Sequence, residues 1–226
     1  MRPAKFNRAL GSVLPLALLI TLSWVVITTA SVPAGRLNLA NAWAKPSMSH
    51  WLGCADGGLD VGRFLGFAIG YVLILALVVS LLGAITGTFL GAWASHWGGS
   101  VERVMLRACD LVQAFPNFLL ALAVLAAVEK PQRWHIGAVF VMTAWASFAR
   151  LASIMSRKLM AADFVMAAKA FGASRMRILL RHIIPNLLGP IAVQVGTVAA
   201  GVVLSESALS FVGLGPSDVV SLGVLI

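Results

Sequence analysis

The sequence predicts an all-α fold, a polytopic bundle of about five membrane-spanning helices. Three observations predict it. Apolar residues make up 60% of the 226, where an ordinary soluble domain has about 45–50%. Charged residues make up only 11%, against about 25% in soluble domains. The few charges are also segregated: residues 9–35 and 64–101 carry none. A soluble chain of this length has no means of hiding so much apolar surface. Composition therefore excludes a cytosolic enzyme, a disordered chain and a disulfide-rich secreted domain. Cys54 and Cys109 form no CxxC pair and no metal-ligand spacing.

Crossing a bilayer takes about 20 apolar residues at 1.5 Å per residue. The first neutral run accommodates a span at about 10–32 and the second a span at about 66–93. The shorter runs 111–128 and 134–149, with their flanks, give spans near 106–128 and 134–154. The run 182–205 continues past Glu206 to give a fifth span at about 187–212. Residues 1–64 form an N-terminal tail, first span and external loop; residues 65–226 form the main membrane domain. The first 34 residues share a basic start and an apolar stretch with signal peptides. That stretch is about 20 residues, longer than the usual 7–15, so a retained first span is the better reading.

Basic residues set the orientation. The N-terminal tail has Arg2, Lys5 and Arg8, and residues 157–181 hold six basic residues against Asp163 alone. Short Lys/Arg-rich loops stay in the cytoplasm, so both segments are expected there, with multi-pass insertion in the cytoplasmic (inner) membrane. Cys54 and Cys109 are then expected on opposite sides of the bilayer, which argues against an intrachain disulfide. Gly83, Gly87 and Gly91 recur at every fourth position in the second span. Small residues at that spacing let helices approach closely. Two readings stay open: packing within the bundle, or a face that slides against a partner subunit.

Residues 157–186 are too polar to span and too patterned for a linker. Ala161 to Phe171 is rich in helix formers. Gly172 suits a left-handed stop, and Ser174 suits the N-cap of a second helix from Arg175 to about Ile184. Pro185 is expected to close that helix, with Asn186 leading into the last span. A short apolar helix outside the bilayer needs a surface to bury against. Its bland alternative is an amphipathic segment lying on anionic lipid.

Ala167-Ala168-x3-Gly172-x9-His182-Ile183-x-Pro185-Asn186 resembles the cytoplasmic "EAA" loop of ABC-transporter permeases, in their dipeptide, oligopeptide and nickel branch. Three further segments match that branch in register. They are His50-Trp51-Leu52-Gly53 with Gly58-x-Asp60-Val61, then Asp110 to Leu120 (DLVQAFPNFLL), then Ser205 to Gly215 (SESALSFVGLG). The resemblance implies the permease fold of a type I importer, translocating di- or oligopeptides or related solutes. It implies as partners a second homologous permease, two cytoplasmic ATPases, an extracytoplasmic solute-binding protein and the lipid bilayer, and no nucleic acid. The loop helix, Asp163 to Phe171, would insert into a groove on the ATPase. Phe164, Val165, Ala167, Ala168 and Phe171 would form its contact surface, and Gly172 would be the turn that positions it. ATP and Mg would be used by the partner, with no cofactor bound by this chain.

The sequence departs from the family pattern in places. Met166 stands where the Glu of EAA is usual, which removes a charged contact but leaves an adaptable packing group. Cys54, Ala55 and Leu59 replace Thr, Asp and Arg, so the external loop is expected to have fewer polar ties. The family's sixth span has no counterpart after Ile226, which leaves a truncated product or fragment, or a degenerate or accessory subunit, as the alternative readings. No lysine follows a glycine, so no phosphate-binding P-loop is present. His50, His96, His135 and His182 are scattered, and no catalytic or metal residue is assigned. Glu206 with Ser205, Ser207 and Ser210 is the only polar cluster suggestive of an intramembrane hydrolase, and it has no histidine nearby in sequence.

Overall fold

The computed structural model describes residues 39–217. The expected first span and the final segment lie outside these residues. Within them the chain forms α1 (Val61–Trp97), α2 (Gly99–Gln113), α3 (Asn117–Ala126), α4 (Arg133–Met160), α5 (Asp163–Ala170), α6 (Arg175–Ile178), a π-helical turn (Leu179–Ile183) and α7 (Ile184–Phe211). Among the described residues there is no strand, only an isolated bridge between Cys54 and Asp60. Three helical stretches are long and apolar enough to cross a bilayer: Val61–Trp97, Arg133–Met160 and Arg175–Phe211. They contain the expected spans 66–93 and 134–154 and, to within a residue, 187–212.

The expected span at 106–128 is corrected. It is two helices, α2 and α3, bent by 67°. Pro116 explains the break. Its backbone is extended (φ −54°, ψ 126°), it has no N–H to continue α2, and its ring disfavours helix in the residue before it. Pro116 instead starts α3, its carbonyl accepting from Leu120 N at 3.1 Å. The α2 half is amphipathic and carries charge. Glu102 accepts from Ser153 Oγ at 2.8 Å and lies 3.3 Å from Arg157 Nε, and Asp110 pairs with Arg150. These links fasten α2 along α4.

The centre of the bundle is the contact of α1 with α4. Lipid tails are as apolar as leucine, so helices associate in a membrane by close packing. Gly83, Gly87 and Gly91 supply it. A Cβ on Gly83 would lie 2.9 Å from Ala144 Cβ; on Gly87 and Gly91 it would collide with the carbonyl oxygens of Trp145 and Ala149. The glycine stripe therefore meets this chain's own α4. The two helices run in the same direction and α7 runs against them. Their first halves join the end of α7 in one cluster around Val79, Leu125, Ile136, Phe140 and Leu209. Their last halves join its beginning in a second cluster around Ala92, Phe148, Ala152, Ile183 and Leu187. Cys54 and Cys109 are both buried and unpaired.

The segment ahead of α1 is better held than its eroded motif suggests. Asp60 caps α1, accepting from Arg63 N at 3.1 Å, and lies 2.9 Å from His50 Nδ1. Backbone bonds from Cys54 to Ala44, from Ala55 to Leu59 and from Val61 to Gly53 close the loop. Main-chain groups thus replace the polar side chains that Cys54, Ala55 and Leu59 lack. Burial opposes ionisation of Asp60, but the hydrogen bonds from His50 and the Arg63 N–H outweigh it and hold its carboxyl below the ordinary 3.8.

Two predictions follow from these contacts. Gly87→Ala and Gly91→Ala should each destabilise the chain by about 1–3 kcal/mol, through overpacking against backbone. Gly196→Ala, with nothing within 4 Å, should stay within about 0.5 kcal/mol; unfolding in detergent measures both. Because the folded pKa of Asp60 is depressed, its stabilisation is present above the unfolded value and is lost as pH falls through the folded one. Protease cleavage of residues 39–60 should therefore rise on acidification below about pH 4. Asp60→Asn, which keeps a cap but loses the charge, should flatten that acid response.

Candidate functional site

The region joining α4 to α7 is a short helix, a glycine stop and a second helix that runs on into the bundle. Ala162 gives α5 no side-chain cap, but Asp163 in the first turn and Lys169 in the last complement the helix dipole. The helix ends in a complete Schellman motif. Gly172 N donates to Lys169 O at 2.9 Å, and Ala173 N donates to Ala168 O at 3.0 Å. Gly172 has φ +77°, the left-handed region a Cβ disfavours. Ser174 then caps α6, its Oγ accepting from Arg177 N at 3.3 Å.

The expected stop at Pro185 is corrected. α6, the π turn and α7 form one continuous apolar stretch, Arg175–Phe211. Ile184 N reaches back five residues to Leu179 O. The wider turn opens room for the Pro185 ring beside a carbonyl it would strike in a regular α-helix. The Asn186 side chain donates to His182 O at 2.7 Å, satisfying a carbonyl in this irregular turn. His182 and Phe164 lie ring to ring at 6.3 Å, which sets α5 against the π turn.

The seat of this region is apolar and internal. Val165 is 0% exposed and joins Ile178, Leu179 and Ile183 in the cluster shared with α1 and α4. Ala168 and Ala173 pack partly against the same cluster. Val165 therefore does not belong to an outward contact surface; it roots α5 in its own chain, and Ala168 stands half-buried beside it. The outward side holds Phe171, 92% exposed, with Met166, 52% exposed, and Phe164 and Ala167. Gly172 sits at the open tip with nothing within 4 Å of a would-be Cβ.

Sequence reasoning missed two features. Met176, between Arg175 and Arg177, is half exposed and extends the apolar tip. An isolated methionine on a basic helical turn was the available signal. The Arg175 guanidinium also lies 5.3 Å from the centre of the Trp97 ring, a cation–π contact tying α6 to the end of α1. No local pattern links residues so far apart in sequence.

Residues 83–226 match the family described as binding-protein-dependent transport system inner membrane component. That is 144 of the 226 residues, well over half. The chain belongs to this family. Relatives agree. The oligopeptide transport system permease protein OppC of Bacillus subtilis is 26% identical over 189 residues, 83% of this chain and 62% of that protein. The dipeptide transport system permease protein DppC of Alkalihalophilus pseudofirmus is 31% identical over 198 residues, 88% of this chain and 64% of that protein. The metal-staphylopine import system permease protein CntC of Staphylococcus aureus is 34% identical over 115 residues, 51% and 39% of the two chains. The chain spans less than two thirds of the length of each relative. Family and apolar helices together make it a multi-pass protein of the cytoplasmic membrane. The helix–glycine–helix region, Asp163 to Asn186, falls inside the matched family segment.

The geometry at Gly172 yields a local test. Gly172→Val should cost about 1–2 kcal/mol locally and open the Schellman bonds, so the amides of Gly172 and Ala173 exchange hydrogen faster. Gly172→Asn, tolerated in this conformation, should exchange nearly as the parent does.

Proposed function

We propose that the chain is the permease subunit of an ATP-driven importer that moves peptides or related solutes across the cytoplasmic membrane. It works with a second homologous permease, two cytoplasmic ATPases and an extracytoplasmic solute-binding protein. The observation that carries this reading is the loop helix. An exposed apolar tip (Phe171, Met166, Met176) sits on a seat that is itself packed into the bundle through Val165, Ile178 and Ile183. A tip built that way has a surface to offer and a rigid body to pull on. The family description and the names of the relatives, which are oligopeptide, dipeptide and metal-staphylopine permeases, support the same assignment.

The mechanism follows from the connection. α5 docks on the cytoplasmic ATPase through Phe171, Phe164, Met166 and Ala167. Met166 offers dispersion contact in place of a salt bridge. Gly172 and Ser174 fix the turn, and His182, Pro185 and Asn186 pass the strain through the π turn into α7. A continuous helix of 37 residues is about 55 Å long, well beyond the roughly 30 Å of hydrocarbon. Motion of the tip therefore reaches the membrane as tilt of one rod. Arg175 on Trp97 carries part of the same displacement to α1. The chain itself does no covalent chemistry in this scheme; ATP and Mg are used by the partner.

Purification in mild detergent from native membranes, with mass spectrometry of what accompanies the chain, tests the reading. A P-loop ATPase and a second permease should copurify. Burying a large aromatic contributes about 1.5–3 kcal/mol, so Phe171→Ala should lower the ATPase recovered by about tenfold or more. Recovery of the chain alone, under conditions that preserve a known importer, would overturn the assignment.

A further inference from the structure

Partway along the bundle, α3, α4 and α7 line a partly open cleft of about 260 Å³, in which Thr143 is buried and Asn117 and Thr197 are exposed. Its polar lining is Asn117, Thr143, Ser147, Gln194, Thr197 and Ser205, and the rest is apolar or glycine. None of the lining residues is ionisable. Three independent facts converge here. First, the depth is intramembrane. Counting from Ile184, Gln194 and Thr197 lie about 15 and 20 Å along α7, and Ser205, at about 32 Å, stands at the far edge of a hydrocarbon layer roughly 30 Å thick; counting back from Met160, Ser147 and Thr143 lie about 20 and 26 Å along α4. Neutral polar side chains at that depth bond across helices or line a pathway. Second, Gln194, Thr197, Gly201 and Ser205 follow one another at steps of three and four, one stripe on α7. Third, the break at Pro116 lies beside it, with Asn117 at the lip. Irregular backbone at membrane depth is tolerated where it is buried in protein or lines a watered cavity.

The hydroxyls are already oriented. Thr143, Ser147 and Thr197 donate to carbonyls of their own helices, Phe140 O at 3.1 Å, Ala144 O at 3.0 Å and Val193 O at 3.3 Å. Their oxygen lone pairs remain as acceptors. The Asn117 and Gln194 amides bring both donors and an acceptor. Glu206, next to Ser205 in sequence, is buried, accepts from Ser210 Oγ at 2.8 Å and is not among the residues that line the cleft. The cleft offers neutral acceptors with a few amide donors and no charge.

We propose that this cleft is a holding site for the passing solute, and that it takes the backbone amides of a short stretch of peptide. The inference rests on the importer reading above. The N–H groups of the peptide meet the threonine and serine oxygens, and its amide edges pair with Gln194 and Asn117. The volume is below the usual 300–1,000 Å³ of ligand pockets, so the cleft grips one or two residues of a longer molecule. Lacking ions, it neither selects nor traps a charged side chain.

The test uses the assembled complex in native membrane vesicles, with Thr197→Cys or Ser147→Cys in this chain. A water-soluble thiosulfonate is the label, and modification is read at the introduced site by peptide mapping. A tryptic digest of casein, supplied with the binding protein, should slow labelling about tenfold at concentrations near ten times its dissociation constant. A disaccharide should not slow it, and Gln194→Leu should remove most of the protection by peptide. A thiol that is never labelled overturns the proposal, because the cleft is then sealed from water. Labelling that peptides leave unchanged, or that peptide and disaccharide slow alike, also overturns it. Copurification of the ATPase is checked first. Its absence sinks the importer reading, whereas an assembled, ATP-hydrolysing complex with an unprotected cleft sinks only this inference.

Discussion

Everything in this bundle is built on how closely α1 approaches α4. Water does not drive these helices together within a bilayer, so the gain comes from backbone-to-backbone contact. Gly83, Gly87 and Gly91 let the carbonyls of Trp145 and Ala149 come where a methyl group would otherwise stand. Two apolar clusters then form, one at each end of the contact. The first takes the end of α7 and the second takes its beginning together with α5, α6 and the π turn. The loop helix is thus seated on this same helix pair.

Much of this was legible in the sequence. Composition alone named the class, and the neutral runs located three of the described spans. The Gly172 stop and the Ser174 cap were readable because each is a local event with a strong residue preference. The glycine stripe was readable as a contact face, yet its partner was not, since periodicity names a face and never what lies opposite. Counting apolar residues across 106–128 hid the break at Pro116, although the proline was in plain view. Turn geometry that depends on a bond five residues back, from Ile184 to Leu179, has no residue signature, so Pro185 read as a stop.

Val165 shows a similar limit. A short helix of alanine, valine and phenylalanine declares that it is apolar, but it does not say which side its own protein claims. Here the chain keeps Val165 and half of Ala168 and leaves Phe171 and Met166 outside. The segment ahead of α1 departs in the other direction. Its altered motif residues suggested looseness, while main-chain bonds and the His50–Asp60 pair hold it. Polar ties made by the backbone cannot be lost by side-chain drift.

The π turn at Leu179–Ile183 has one more consequence. It adds a residue to a single turn, and one residue is about 100° of rotation in an α-helix. The faces of α6 and α7 are therefore offset, and no single helical wheel describes Arg175 to Phe211. Residues that share a side before the turn diverge after it. Sequence comparison across this junction will see two phases of variation, one answering to what meets the loop and one to what lines the bundle. Loss or gain of a single residue there would turn one surface relative to the other without disturbing the contacts within either.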